Sequence, residues 1–201
     1  MAEHYHMNAS LKDKKEVNNK VKELFERAET ELKMIPNLYK AMANAPEILQ
    51  AYMDGDKNFR ENSGFTPAEQ EVILLVISYE NGCEYCLAAH STISDFNNVP
   101  KEVTNAIRED KLIEDKKLSI LARMTREMFL SRGRPELSVV ADFLNAGYGE
   151  KQLLDIVLAI SVKTLSNYTN HLFNTSVDKA FKVREFKTLQ FAERVFNYFK
   201  K

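Results

Sequence analysis

The chain has 201 residues, 44% apolar and 28% charged, with a formal net charge of -1. This is the profile of an ordinary globular protein able to bury a core. It lacks the basic excess that nucleic-acid binding requires, and its longest apolar run, Val72 to Ile77, is far too short to span a bilayer. Six glycines and five prolines leave little material for tight turns, which favours helices. The first thirty residues hold no apolar leader, so a cytoplasmic protein without a membrane partner is expected. Two cysteines are no disulfide framework; a close pair in such a setting points to metal or redox chemistry.

Residues 1–13 show no periodicity and are expected to fray; His4 and His6 fall there. From Lys14 to Met34 the residues Val17, Val21, Leu24, Phe25, Ala28 and Leu32 recur at helical spacing. Pro36 and Pro46 punctuate a helical stretch that runs to about Glu61, and Ser63-Gly64-Phe65 is a turn. Thr66-Pro67-Ala68-Glu69 then opens a helix, with Thr at the N-cap, Pro in the first turn and Glu completing a capping box. This helix, roughly 67–80, is apolar in its middle and belongs in the core. Asn81-Gly82 ends it, and a further helix bearing both cysteines follows at once. Additional helices are read at about 100–109, 115–131, 135–146, 150–177 and 182–200. In the second of these, Leu118, Leu121, Ala122, Thr125, Met128 and Phe129 form the inward stripe. No period-two run is present, so the expected fold is all-α and one domain over residues 1–201.

An offset of 81 positions sets Gln152 against Glu71, Thr164 against Cys83, Asn167 against Cys86 and His171 against His90. It suggests a degenerate repeat at 147–175 without thiols.

The informative segment is Cys83-Glu84-Tyr85-Cys86-Leu87-Ala88-Ala89-His90. Residues three and four apart share a helix face, so Cys83, Cys86 and His90 are neighbours. A thiol at a helix start is favoured as thiolate by the free N–H groups and the dipole. His90 is the natural base for Cys86, and Glu71, on the preceding helix, is the candidate that orients it. Glu69 is assigned to capping and Glu84 to exposure at the helix start. A zinc site of Cys83, Cys86, His90 and His171 is set aside, because one helix rarely supplies three tetrahedral ligands. Haem attachment fails because Leu87 follows the second cysteine. Two inert buried thiols remain the bland alternative. No metal or cofactor is expected.

Glu71, Cys83, Cys86 and His90 at these spacings resemble the alkylhydroperoxidase D-like proteins of the carboxymuconolactone decarboxylase superfamily. The core of the likeness is 66–93. The lead-in Ile35 to Pro46 resembles the peroxidase-related branch. The resemblance implies an AhpD-like helical bundle with a helix–turn–helix dithiol core, assembled as trimers or hexamers. It implies hydroperoxide reduction through a Cys83–Cys86 disulfide, with Cys86 attacking peroxide, Cys83 resolving, and His90 and Glu71 relaying protons. It further implies an external dithiol reductant, such as a lipoyl or thioredoxin-like protein. Some relatives carry a second histidine between the cysteines; here Tyr85 stands there. The alternative is a redox-responsive switch, or an oligomeric interaction protein, with little turnover.

Overall fold

A computed structural model describes residues 3–185. Among the described residues the regular structure is helical: α1 (Asn19–Leu32), α2 (Asn37–Met42), α3 (Pro46–Asn62), α4 (Pro67–Glu80), α5 (Glu84–Phe96), α6 (Lys101–Glu109), α7 (Lys116–Leu130), α8 (Leu137–Asn145) and α9 (Glu150–Phe173), with a 3-10 helix at Lys179–Arg184. None of these helices is long and apolar enough to cross a membrane.

The organising element is α4. Every residue from Glu69 to Ser78 is buried, as expected of a helix with protein on all sides. It packs against α5, α6, α7 and α9. Its start is the expected box: the Thr66 hydroxyl accepts from Glu69 N–H at 3.3 Å, and the Glu69 carboxylate accepts from Thr66 N–H at 2.9 Å. Two apolar clusters flank α4. One joins it to α6, α7, α8 and the first half of α9 through Phe143, Leu121, Met124 and Ile156. The other joins α1, α2 and α3 to the cysteine-bearing face of α5, through Phe25, Leu49, Tyr52 and Val162.

α3 crosses α9 closely at Gly55, where an added Cβ would come within 2.9 Å of Val162. In α7 the buried stripe is Leu121, Ala122, Met124, Thr125 and Met128; Leu118 and Phe129 lie half-buried at its edges.

Several expected boundaries move. α1 begins at Asn19 rather than Lys14, because Asn18 caps it, accepting from Val21 N–H at 3.0 Å. α9 ends at Phe173, not 177, where Asn174 turns into the left-handed region. The expected helix 182–200 meets the 3-10 helix at its start and otherwise lies outside the described residues. The segment before α1 is irregular but tied down: Met7 N–H donates to Leu172 O at 2.7 Å. At the offset of 81, the break between α4 and α5 faces the uninterrupted middle of α9.

Candidate active site

The cysteines are placed by a turn of three residues. Cys83 N–H donates to Ser78 O at 3.0 Å and Gly82 N–H to Tyr79 O at 2.9 Å, closing the last carbonyls of α4 in a Schellman arrangement. Gly82 sits at φ 65°, where a Cβ would be strained. Cys83 is at once the residue after this turn and the N-cap of α5; its side chain makes no capping bond, so the sulfur is left for other partners. Cys86 follows in the first turn and His90 one turn further. The short link folds α5 back along α4 and sets His90 beside Glu71.

Glu71 is fully buried. Its Oε2 lies 2.9 Å from His90 Nδ1, and its Oε1 accepts from the Arg60 guanidinium of α3 and from Asn97 Nδ2 at 3.4 Å. A carboxylate can only accept, so Nδ1 carries the hydrogen and His90 Nε2 is free to accept. What it faces is Lys163 Nζ, at 2.9 Å.

Lys163 was not among the residues singled out from the sequence. It is 1% exposed, and among the described residues it makes no ion pair with a carboxylate. Its charge favours the ionised form of Cys86. With Ser166, Asn167 and Asn170 it forms a buried polar stripe at i, i+3, i+4 and i+7 along α9. Asn170 Nδ2 donates to Cys86 Sγ at 3.3 Å and reaches Cys83 Sγ at 3.8 Å; Ser166 Oγ is 3.9 Å from Cys86 Sγ. That stripe, following the apolar run Ile156 to Ile160 in the same helix, is the signal that could have located the opposite wall of the site.

The two sulfurs are both buried and both reduced. Burial and the neighbouring Cys86 raise the Cys83 thiol well above its ordinary range. Burial opposes ionisation of Cys86 too. There, however, the hydrogen bond from Cys83 and the charge and hydrogen bond of Lys163 outweigh it, and the thiol falls well below its ordinary range. Burial and the Lys163 charge lower His90, so that its imidazole is neutral near pH 7. Glu71 is held below the usual carboxylate range: burial raises it, but His90 and Arg60 together win. The site therefore contains a Cys86 thiolate against Lys163, a neutral His90 bridging Lys163 to Glu71, and Glu71 paired with Arg60.

The remaining candidates separate cleanly. Glu69 faces away from the thiols, accepting from Tyr148 OH at 2.9 Å and pairing with Lys117 at 3.0 Å. The Tyr85 hydroxyl donates to Asp178 at 2.5 Å and accepts from Leu38 N–H at 3.3 Å, which ties the segment after α9 onto α5 and leaves Tyr85 outside the thiol network. A cavity of about 1100 Å³ reaches the dithiol from the other side. Gly82, Cys83, Glu84, Asn170 and His171 line it, as do His4 and His6; Cys86 does not. His171 thus belongs to the cavity wall, away from His90. Among the described residues no group of three or more His, Cys, Asp or Glu side chains could hold a metal ion.

Residues 46–106 match the model of the carboxymuconolactone decarboxylase family. No curated protein matches the chain. Solved structures share its fold. A peroxidase-related protein from Silicibacter sp. TM1040 has a TM-score of 0.73 at 18% identity, over 88% of this chain and 93% of that one. A peroxidase-related protein with an alkylhydroperoxidase AhpD core, from Ralstonia eutropha JMP134, has a TM-score of 0.72 at 17% identity, over 89% and 96%. The debrominase Bmp8 without ligand has a TM-score of 0.69 at 17% identity, over 83% and 90%. The matched segment bears Glu71 and the dithiol, and the described residues have the all-helical fold of these AhpD-like structures.

Proposed function

We propose that the protein is a dithiol oxidoreductase that reduces hydroperoxides, with Cys86 as the attacking sulfur and Cys83 as the resolving one. The observation that supports this most is the pair of adjacent buried thiols bridged by Asn170, whose Nδ2 lies 3.3 Å from Cys86 Sγ and 3.8 Å from Cys83 Sγ, in surroundings that lower Cys86 and raise Cys83. The Cys86 thiolate attacks the terminal oxygen of the hydroperoxide. An S–O bond forms, the O–O bond breaks, the sulfur becomes a sulfenic acid, and the departing alkoxide takes one proton to leave as an alcohol. The Cys83 sulfur then attacks the sulfenic sulfur; the S–S bond forms, and hydroxide leaves with the Cys83 proton as water. Two thiols of an external dithiol reduce the disulfide, themselves becoming a disulfide, and the cavity beside Cys83 gives that reductant its approach.

The reading includes reaction in the cytoplasm and self-association. Leu154, Val157, Tyr168 and Leu172 offer an exposed apolar face along α9 for the latter. The residues Phe186, Leu189, Phe191, Phe196 and Phe199, which the sequence also suggests for assembly, lie outside the described residues.

The test is peroxide consumption with dihydrolipoamide, thioredoxin or dithiothreitol as reductant, beside Cys83→Ser and Cys86→Ser. Multiple turnovers that vanish in both variants are the expected result. Turnover that survives in Cys86→Ser overturns the assignment. A second reading draws on the debrominase among the similar structures. There the same dithiol would become a disulfide while an aryl bromide leaves as the arene and bromide. Bromide release from a bromopyrrole, without peroxide turnover, would favour it. Disulfide formation with oxidant but without turnover of either substrate would instead mark a redox switch.

A further inference from the structure

The cavity in front of the dithiol is electrically one-sided. Cys83 lines it and Cys86 does not, so a molecule that enters meets the Cys83 sulfur first. Among the described residues its charged lining is Glu80, Glu84 and Glu185, with no lysine or arginine. Glu80 is matched by Arg126 at 2.5 Å. Glu84, half-buried at the start of α5, and Glu185, which follows the 3-10 helix, make no ion pair among the described residues. Burial and the Glu185 charge both push the Glu84 carboxyl up, as expected of two carboxylates at one opening. Behind the sulfurs the charges cancel once a disulfide has formed, because Lys163 and Arg60 stand against Glu71 and Asp56. The chain as a whole carries a formal charge of only -1, so its net charge gives little preference between reagents of opposite sign.

The uncharged lining points the same way. Asn170 is 4% exposed; its Nδ2 is turned to the two sulfurs, and its Oδ1 has no hydrogen-bond partner among the described residues. Thr175 Oγ1 has none either, and both residues line the cavity. Two open carboxylates and an unmatched amide oxygen are all acceptors, and what they lack is a donor. An ammonium group brings three donors and no acceptor. A cleft walled by one sign of charge also concentrates ligands of the other sign.

We propose that this cavity selects its reductant by charge, taking a dithiol with an ammonium group beside its thiols in preference to a neutral or anionic one. The inference rests on the dithiol reading above and names the class of reductant for it. A thiolate of the external dithiol attacks the Cys83 sulfur; a new S–S bond forms, the Cys83–Cys86 bond breaks, and Cys86 departs as thiolate with the electron pair. The second thiol of the reductant then attacks its own bonded sulfur, which closes the reductant into a disulfide and releases Cys83. Two electrons pass to the protein. Of the reductant's two protons, one ends on Cys83 and the other in solvent. The ammonium lies against Glu84 and Glu185 while this happens.

The experiment uses the purified full chain, oxidised first and checked for the Cys83–Cys86 disulfide by mass and thiol count. Its reduction is timed at about pH 8, above the ordinary imidazole and carboxylate ranges. Cationic dithiobutylamine is compared with neutral dithiothreitol, and anionic dihydrolipoate with neutral dihydrolipoamide. Each rate is divided by the same reagent's rate on the neutral 2-hydroxyethyl disulfide, which removes intrinsic thiol reactivity. At low ionic strength each step of charge should change the corrected rate roughly fivefold, with the cation fastest. In 1 M salt, where the screening length is about 3 Å, the ratios should approach one. Glu84→Gln combined with Glu185→Gln should bring them near one at low salt as well, and Glu84→Lys with Glu185→Gln should favour the anion. Corrected rates that are equal in the wild type, or that favour the anion there, overturn the proposal. A cation preference that survives the double glutamine substitution overturns it too. If no Cys83–Cys86 disulfide forms, or if none of these dithiols reduces it, the dithiol reading itself fails, and the proposal fails with it.

Discussion

Cys83 and Cys86 lie three residues apart on one helix start, are equally buried, and nevertheless occupy opposite chemical settings. Cys83 borders the cavity, and burial and the neighbouring Cys86 outweigh the Lys163 charge and raise its thiol. Cys86 is turned toward α9, where Asn170 Nδ2 donates to its sulfur, Ser166 Oγ lies 3.9 Å away, and Lys163 supplies positive charge. Depth alone would have raised both. The difference teaches that a helix N-terminus does not by itself ionise a thiol here: of two sulfurs near the same dipole, only the one facing the lysine is lowered.

The largest effect that could break this comparison is in the pH dependence of alkylation. With Cys83 replaced by serine, the remaining Cys86 should react with iodoacetamide at a rate nearly constant between about pH 6.5 and about pH 8.5, since its thiolate is already formed. With Cys86 replaced instead, the Cys83 rate should climb roughly tenfold per pH unit, about a hundredfold over the same window, because the thiol titrates above it. Equal slopes for the two variants would remove the asymmetry.

A second, somewhat smaller effect concerns the support behind Lys163. Glu71→Gln leaves Arg60 with only its longer pairing to Asp56 at 3.7 Å and allows His90 to adopt either tautomer. Removing one partner of a buried ion pair costs about 3–5 kcal/mol; because Arg60 is partly exposed, the lower end is expected in a urea titration. The flat Cys86 alkylation profile should at the same time acquire a slope. Glu71 also sets the acid limit of the fold. Its ionisation is favoured in the native state, so its contribution is present above the ordinary glutamate range and is lost as pH falls through the lowered native value. His90, buried and neutral, works in the same direction, since protonation on acidification must overcome the burial that keeps it uncharged. The melting temperature should fall as pH drops from about 8, first through Cys86 and then His90, and should fall further below about pH 5 as Glu71 is protonated. In Glu71→Gln that acid fall should be shallower.

What the sequence revealed of the site followed the range of its contacts. The capping box at Thr66, the break at Gly82 and the Cys–Cys–His face of α5 are decided within a few residues, and each can be read from local chemistry. Glu71 was within reach because the link between α4 and α5 is too short to take α5 elsewhere. Lys163 is 73 residues from His90, and a lone lysine in a helical window reads as solvent-facing. Nothing local says that its face of α9 is turned inward; only the polar stripe from Lys163 to Asn170 does so. The same long range hid the role of Tyr85, which is settled by Asp178 across 93 residues. Missed helix boundaries have the opposite cause. Asn18 and Asn174 terminate helices through local caps that a reading of apolar periodicity passes over.

The smallest expected effect separates the two glutamates of α4 and so sharpens the contrast from outside the site. Glu69 and Glu71 are two residues apart and both buried, yet Glu69 turns toward Thr66, Tyr148 and Lys117, on the side away from the thiols. Thr66→Ala removes the hydroxyl that accepts from Glu69 N–H and should cost about 1 kcal/mol in urea unfolding. Because α4 is clamped on several sides by other helices, losing one cap should not shift Glu71 relative to His90. The Cys86 alkylation profile of Thr66→Ala should therefore overlay that of its parent, both measured on the Cys83→Ser background. If it acquires the slope expected of Glu71→Gln, the two ends of the argument are mechanically joined. In that case the thiolate depends on how firmly α4 is anchored, as well as on the charges around it.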